Sequence, residues 1–221
     1  ELRTPITALI GSATALGDDK TFADSNARKS LIGEVVGAAK RLDRVVENLL
    51  DVSRLEKGTL QLKNEWFELG DLLSRVKSEL KDEMNGRTLQ VTGDGSILIE
   101  GDFQLLDHAL SQLVLNATKY SKPATKIEIS IEKTGDKVRV KVRDEGVGIT
   151  EGLEHRLFEK FFRAPGTPAG GIGLGLSIVK SILELHGGKV SARNRLDVQG
   201  AEFEVELPLK TPPEVLQEAL R

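Results

Sequence analysis

The sequence contains no cysteine, and this absence excludes disulfide bonds and thiolate chemistry and is consistent with a reducing cytosol. It contains no apolar run that approaches the roughly 20 residues needed to span a bilayer. Its formal net charge of −3 argues against broad nucleic-acid binding, because a phosphate backbone needs clustered Lys and Arg. The composition, 39% hydrophobic and 29% charged, predicts an ordinary soluble protein.

The sequence also lacks a signal peptide and an initiating Met, since it opens with Glu1-Leu2-Arg3-Thr4-Pro5. We therefore expect a cytosolic piece of a longer chain. Its 221 residues are enough for one or two modest domains, each with its own core.

The first part of the chain has the periodicity of two helices. Apolar side chains recur at alternating steps of four and three over residues 2–16, and a polar break follows. A second pattern of the same kind runs without a slip over residues 31–52 and ends at Gly58, which is the spacing of a coiled-coil or bundle seam. Two such narrow stripes predict a helical hairpin at residues 1–58 that forms a four-helix bundle when two chains dimerise.

The segment 59–210 has the patterns of a mixed α/β domain, followed by a tail at 211–221. Residues 127–131 and 138–142 alternate apolar and polar side chains, as half-buried antiparallel strands do, and a Gly-Asp turn lies between them. We predict helices at about 71–84, 103–120 and from the Gly-rich loop to 186, and further strands at about 60–69, 88–92, 97–100, 189–194 and 201–207. The fold class is therefore α+β, a two-helix hairpin followed by an α/β sandwich.

Three groups of residues can carry chemistry, and the first is Asn116 with Lys119 and Tyr120 at the end of a helix. An Asn amide oxygen is a suitable ligand for Mg²⁺, which prefers oxygen and arrives with phosphates. Lys119 lies three residues on and can reach the same phosphates as a point charge. Taken alone, such a pair is more often a solvated helix end.

The second group comes directly after an alternating strand and consists of Asp144, Gly146 and Gly148. A carboxylate at a strand end can accept a hydrogen bond from an exocyclic amine such as that of adenine, and the glycines let the backbone approach a flat base. The alternative is a simple Asp-x-Gly turn.

The third group is the stretch 170–177, with Gly171, Gly173, Gly175 and Leu176, which leads into a helix. Glycines before a helix N-terminus expose backbone N–H groups to a phosphate. The spacing fits neither the Walker P-loop nor the dinucleotide fingerprint. The alternative is a flexible linker, but an apolar-periodic helix begins at once.

In this order the three groups resemble the nucleotide-binding family shared by gyrase, mismatch-repair ATPases and histidine kinases. Asn116 matches the N box, and the two glycine-rich groups match the first and second glycine boxes. Residues 158–163 look like the F box of histidine kinases, and the opening Glu1-Leu2-Arg3-Thr4-Pro5 matches the residues after the phosphoacceptor in the motif His-Glu-Leu-Arg-Thr-Pro. The resemblance covers residues 1–208 and implies a sensor histidine kinase of two-component systems.

The resemblance implies ATP and Mg²⁺ as cofactors, a response regulator as partner and a homodimer through the hairpin. In its terms Asn116 holds Mg²⁺, Lys119 offsets phosphate charge, Asp144 selects adenine and Tyr120 packs along the base. The second glycine box, with Leu176, closes over the phosphates together with the loop 164–172.

The phosphoacceptor would lie directly before Glu1, and no residue is there. In the intact kinase Glu1 would accept the imidazole proton, and Thr4, one helical turn on, would orient water for dephosphorylation of the regulator; an N-terminal cap is the alternative. The three histidines, His108, His155 and His186, match no acceptor position, so we expect this chain to bind ATP without phosphorylating itself.

Two competing classes are a gyrase-type ATPase and a nucleotide-binding module without catalysis. Gyrase-type enzymes activate water with a Glu four residues before the N-box Asn, and Gln112 stands there, whose amide cannot act as a base. We expect Gln112 to support the site by hydrogen bonding. Within the kinases, residues 49–73 resemble the Kdp-type potassium-sensing subfamily, and we expect the cytoplasmic part of a membrane-anchored sensor.

Overall fold

The computed structural model describes residues 3–17, 25–56, 61–84, 86–166 and 172–213. They form two compact units, a helical hairpin and a domain built on β-sheet, so the α+β class is confirmed. Within the described ranges, no helix is long and apolar enough to cross a membrane.

The hairpin consists of α1 (Arg3–Leu16) and α2 (Ser25–Glu56). The two helices pack on each other, with Ala38 fully buried and a hydrogen bond from Ser12 Oγ to Glu34 Oε2 of 2.9 Å. The helix break at 18–19 and Gly58 lie outside the described residues.

The hairpin leaves a broad apolar surface in contact with solvent. Of the predicted seam, Leu42 and Val45 are half-buried, whereas Leu49 is 39% exposed. A second apolar stripe lies beside this seam on α2, and its exposed members are Ile32, Val36, Val46 and Leu50. The apolar face of α2 is therefore wider than the narrow stripe that the periodicity predicts.

The elements of the second unit, in chain order, are β1 (Asn64–Glu68), α3 (Leu69–Glu79), β2 (Thr88–Thr92), β3 (Leu98–Asp102), α4 (Phe103–Tyr120), β4 (Lys126–Thr134), β5 (Lys137–Arg143), α5 (Gly175–Leu185), β6 (Lys189–Asn194) and β7 (Ala201–Pro208). Short 3₁₀ turns lie at Asp82–Met84 and Arg156–Phe158. The bounds of α4, β2 and β6 agree with the prediction, and the other predicted strands are present with shifted ends.

Five of these strands form one sheet in the order β2-β4-β5-β7-β6, with β2 parallel to β4 and the other pairs antiparallel. The alternation in β4 and β5 buries one face, for example Ile129 and Val140, and leaves charged side chains on the other. The charged face carries cross-strand ion pairs such as Lys141 Nζ to Glu132 Oε2 at 2.9 Å. The helices α4 and α5 pack on each other and cover the apolar face.

The start of this domain differs from the prediction. The strand predicted at 60–69 is limited to β1, which pairs antiparallel with β3 in a separate two-stranded sheet. The helix begins at Leu69, where the first backbone N–H groups of α3 donate to Ile97 O at 3.0 Å and to Gly95 O at 2.8 Å. Because backbone carbonyls satisfy these donors, the helix starts without a side-chain cap.

Candidate nucleotide-binding site

The structure brings the three predicted groups together. The end of α4 meets the first glycine box in an isolated bridge between Ser121 and Gly146. The same helix meets the second glycine box through Gln112, because a Cβ added to Gly175 would lie 2.7 Å from Gln112 Oε1. The residues therefore converge although they are spread over about 60 positions of the chain.

Asp144 is the most buried carboxylate of this site, with 2% of its surface exposed. Its Oδ1 accepts from Gly146 N at 2.8 Å and from Ala201 N at 3.3 Å. Both hydrogen bonds that described residues donate to this carboxylate go to Oδ1, which leaves Oδ2 for a ligand donor. Burial raises the pKa of Asp144, and the two backbone N–H groups and the charge of Arg195 oppose this rise.

The first glycine box has no room for larger side chains. A Cβ on Gly146 would lie 2.5 Å from Tyr120 O and 2.7 Å from Asp144 Oδ1. Gly148 has a φ of +78°, and a Cβ there would lie 2.6 Å from Asn194 Oδ1. These close neighbours are atoms of the protein itself. Glycine at both positions therefore lets the loop pack against Tyr120, Asp144 and Asn194 without a steric clash.

The second glycine box is joined to the F box. Phe161 N donates to Gly173 O at 2.9 Å, and a Cβ on Gly173 would lie 2.7 Å from Phe162 O. The helix α5 begins at Gly175 with no side-chain cap and no acidic residue in its first turn. Such an end presents backbone N–H groups suited to a phosphate. Gly171 and the rest of 167–171 lie outside the described residues.

The N-box side chains lie on the last turns of α4. Asn116, Lys119 and Tyr120 are all half-buried, and Lys119 Nζ lies 5.3 Å from the centre of the Tyr120 ring. Asn116 and Lys119 are three residues apart and therefore share a face of the helix. Within the described residues no group of three or more His, Cys, Asp or Glu could hold a metal ion.

The part of α4 around Gln112 is ordered by polar contacts. Gln112 Nε2 lies 3.0 Å from His108 Nε2, which leaves Oε1 directed to the start of α5. The other two histidines lie elsewhere in the domain. His186 Nε2 accepts from Asp102 N at 2.9 Å and its Nδ1 lies 2.7 Å from Ile182 O, a structural role, while His155 is exposed before a 3₁₀ turn.

Sequence reasoning missed three residues that brace the site. Arg87 binds the end of α4, with Nη2 donating to Ser121 O at 2.6 Å and Nε to Ser121 Oγ at 2.9 Å. Asn194 and Arg195, at the end of β6, contact the loop of the first glycine box. No periodicity or motif marks these residues, because their roles depend on partners more than 30 positions away.

The residues predicted to act in the hairpin are less completely described. Thr4 is exposed on the first turn of α1, where a partner could reach it. Glu1 lies outside the described residues.

The sheet domain and its candidate site have the features of a known class of ATP-binding domain. The family model described as histidine kinase-, DNA gyrase B- and HSP90-like ATPase matches residues 101–211. A second model, the His Kinase A (phospho-acceptor) domain, matches residues 1–58. With both domains in this order, the chain belongs to the sensor histidine kinases, and the hairpin match favours this family over a gyrase-type ATPase.

Comparison with individual proteins supports the same family. The chain is 34% identical over 217 residues to sensor protein KdpD of Escherichia coli K12, and the matched segment covers 97% of this chain and 24% of that protein. It is also 32% identical over 223 residues to sensor protein DivL of Caulobacter vibrioides, covering 100% of this chain and 28% of that protein. The chain thus spans about a quarter of these relatives, and the Kdp type is one subfamily among those matched.

Solved kinase structures have the same fold. Full-length ShkA in complex with AMPPNP gives a TM-score of 0.68 at 26% identity, covering 95% of this chain and 44% of that one. The histidine kinase ThkA in complex with the response regulator TrrA gives a TM-score of 0.66 at 27% identity, covering 95% of this chain and 59% of that one.

Proposed function

We propose that this chain is the cytoplasmic kinase core of a two-component sensor histidine kinase. It binds Mg-ATP and transfers the γ-phosphate to a histidine directly before Glu1, and from there to an aspartate of a response regulator. The observation that carries the proposal is that the helix of the N box contacts both glycine boxes, at Gly146 and at Gly175, in a chain that also contains the His Kinase A hairpin.

The side chains fit a nucleotide with its cation. The buried Asp144 carboxylate has one oxygen available for an adenine amine, and Tyr120, whose main-chain oxygen lies beside Gly146, would border the base. Asn116 supplies a hard oxygen ligand, Lys119 a positive charge, and the N-terminus of α5 backbone donors. Asn116 would hold Mg²⁺, which would supply positive charge against the phosphates, while the protein would orient the nucleotide and exclude water.

The hairpin would supply the acceptor and the partner surfaces. Its exposed apolar stripe supports a homodimer, because a second copy would cover it. In the intact protein Glu1 would take the proton of the acceptor imidazole, and Thr4 would serve dephosphorylation of the regulator. The similarity to ThkA, solved in complex with a response regulator, supports a receiver domain as the partner.

Autophosphorylation by an extended chain tests this proposal. Restoring the native upstream segment, which we expect to end in His, should give Mg²⁺-dependent labelling from γ-labelled ATP, with an acid-labile and base-stable product. The same extended chain with that His changed to Gln should stay unlabelled, and so should the present 221 residues.

The extended chain with Asn116→Ala is the internal control for the cation site. It should lose both labelling and the Mg²⁺ dependence of nucleotide binding, which titration calorimetry measures. Labelling of the present chain on histidine would make His108, His155 or His186 the acceptor. An extended chain that binds ATP and dimerises yet never labels would instead leave a regulatory nucleotide-binding module.

A further inference from the structure

Two consecutive residues at the end of β6, Asn194 and Arg195, contact both ends of the first-glycine-box loop (residues 144–149). Asn194 is the last residue of β6, and Arg195 begins the connection to β7. Their partners, Ile149 and Asp144, are the last and first residues of the loop. Neither Asn194 nor Arg195 belongs to a box of the nucleotide-binding motifs.

Asn194 holds the far end of the loop with both polar atoms of its side chain. Its Oδ1 accepts from Ile149 N at 2.6 Å, and its Nδ2 donates to Ile149 O at 2.8 Å. Two opposed hydrogen bonds to one residue fix the orientation of that peptide segment. A Cβ on Gly148 would lie 2.6 Å from the same Oδ1, so the amide sits directly against the second glycine of the box.

Arg195 holds the near end. Its side chain is only 5% exposed, and Nη1 donates to Asp144 O at 3.3 Å. The guanidinium is itself fixed, since Nε and Nη2 donate to Asp197 at 3.0 and 2.7 Å and Nη2 lies 3.5 Å from Glu128 Oε2. A planar group with several donors can serve all three partners at once, which an ammonium cannot.

The connection from β6 to β7 completes the support of Asp144. Asp144 N donates to Ala201 O at 3.0 Å, and Ala201 N donates to Asp144 Oδ1 at 3.3 Å. Arg195 N closes the connection by donating to Gly200 O at 3.0 Å. The connection therefore fixes the main chain and one carboxylate oxygen of Asp144, and with them the direction of Oδ2.

We propose that Asn194 and Arg195 are positioning residues for recognition of the adenine 6-amino group, acting through Ile149 and Asp144. This rests on the proposed ATP binding. A hydrogen bond weakens steeply with misalignment, so a loosened loop lowers the selectivity of Asp144 Oδ2 for an amine. The proposed phosphate contacts lie on α4 and at the start of α5, which neither residue touches in the described contacts. Loss of either side chain should therefore weaken recognition of the base and leave phosphate binding nearly unchanged.

Affinities for ATP and ITP, measured with Mg²⁺ on the full chain, test this proposal. ITP has the same ribose and phosphates but an oxo group in place of the 6-amino group. The wild-type chain should prefer ATP. Asn194→Ala should weaken ATP binding about tenfold, leave ITP binding nearly unchanged and so reduce the preference by the same factor. Arg195→Lys, which keeps the charge beside Glu128 and Asp197, should give about a threefold reduction.

Arg193→Gln is the matched control on the same strand. Arg193 is 60% exposed and pairs with Glu202, and none of its described side-chain contacts is with residues 144–149, so its loss should leave the preference for ATP unchanged. Equal loss of ATP and ITP affinity in Asn194→Ala and Arg195→Lys, or a fall in Tm with unchanged affinities, would mean a purely structural role and overturn the proposal. A wild-type chain that binds neither nucleotide would overturn the proposed function as well.

Discussion

The two units of this protein differ in how completely they bury their apolar side chains. In the sheet domain the inner residues of α3, such as Leu69 and Leu73, are at most 1% exposed, and those of α4 and α5 are similar. In the hairpin, a helix of 32 residues has Ala38 as its one fully buried apolar residue among those described, while Val36 and Leu50 are about half exposed. The sheet domain has a core of its own, whereas the hairpin leaves an apolar face exposed that the proposed homodimer would cover.

The sharpest test of this difference is one truncation in each unit. Leu113 on α4 is fully buried, so Leu113→Ala should lower the free energy of unfolding of the sheet domain by about 3 kcal/mol, from lost transfer energy and the cavity left behind. Denaturant unfolding followed by the fluorescence of Trp66, on β1 of that domain, measures this loss.

Val36→Ala is the corresponding truncation in the hairpin, and far-UV circular dichroism, which follows its helices, measures the effect. Because Val36 is 48% exposed, this change should cost less than about 0.5 kcal/mol in the monomer. Equal effects of the two truncations would contradict the view that the units differ in their cores.

The second test concerns association of the hairpins. Leu50 is 50% exposed on the apolar stripe of α2, so Leu50→Glu should shift the chain from dimer to monomer, by roughly tenfold or more in the dimer dissociation constant. Light scattering over a concentration series measures the shift. Ser30→Glu, at an exposed polar position of the same helix on the side opposite Ile32 and the stripe, should leave dimerisation intact. A strict monomer in the wild-type chain would remove the bundle from the proposal.

How much the sequence predicts differs between these parts for physical reasons. The long uninterrupted repeat of α4 and the alternation of β4 and β5 are local patterns, and they predict Phe103–Tyr120 and both strands well. The order of the boxes predicts that Asn116 and Asp144 share one site. The pairing of β1 with β3 joins residues 30 to 38 positions apart, which no local period encodes.

The supports of the site are the least predictable part. Asn194 and Ile149 are 45 residues apart, and Arg195 and Asp144 are 51 apart. A single Asn-Arg pair at a strand end has many uses in proteins, so only the folded chain assigns it to this loop. The width of the apolar face on α2 could be read from Ile32, Val36 and Leu50, because they repeat beside the seam.

The smallest expected effect concerns the charge buried in the sheet domain. Because burial raises the pKa of Asp144, the folded chain binds this proton more tightly than the unfolded chain does. Its ionised form therefore lowers stability above the folded-state pKa, and this cost disappears as the pH falls below the unfolded value of about 3.9. Asp144→Asn can keep the acceptor for Gly146 N and Ala201 N. It should raise Tm in the absence of nucleotide at pH 7, with a gain that shrinks towards pH 4.

Glu132 provides a control of opposite sign on the exposed face of the same sheet. The hydrogen bond from Lys141 and the charge of Lys141 lower the pKa of Glu132 in the folded chain. The ionised Glu132 therefore stabilises the fold at a pH above its unfolded-state pKa. This stabilisation is lost as the pH falls through the lowered folded-state pKa. Glu132→Gln should therefore lower Tm slightly or not at all at pH 7, because exposed ion pairs contribute little.

Asp144→Asn should also abolish the preference for ATP over ITP while it stabilises the chain. A lower Tm for Asp144→Asn at pH 7 would mean that Arg195 and the backbone donors outweigh burial, and the carboxylate would then be part of what holds the domain together.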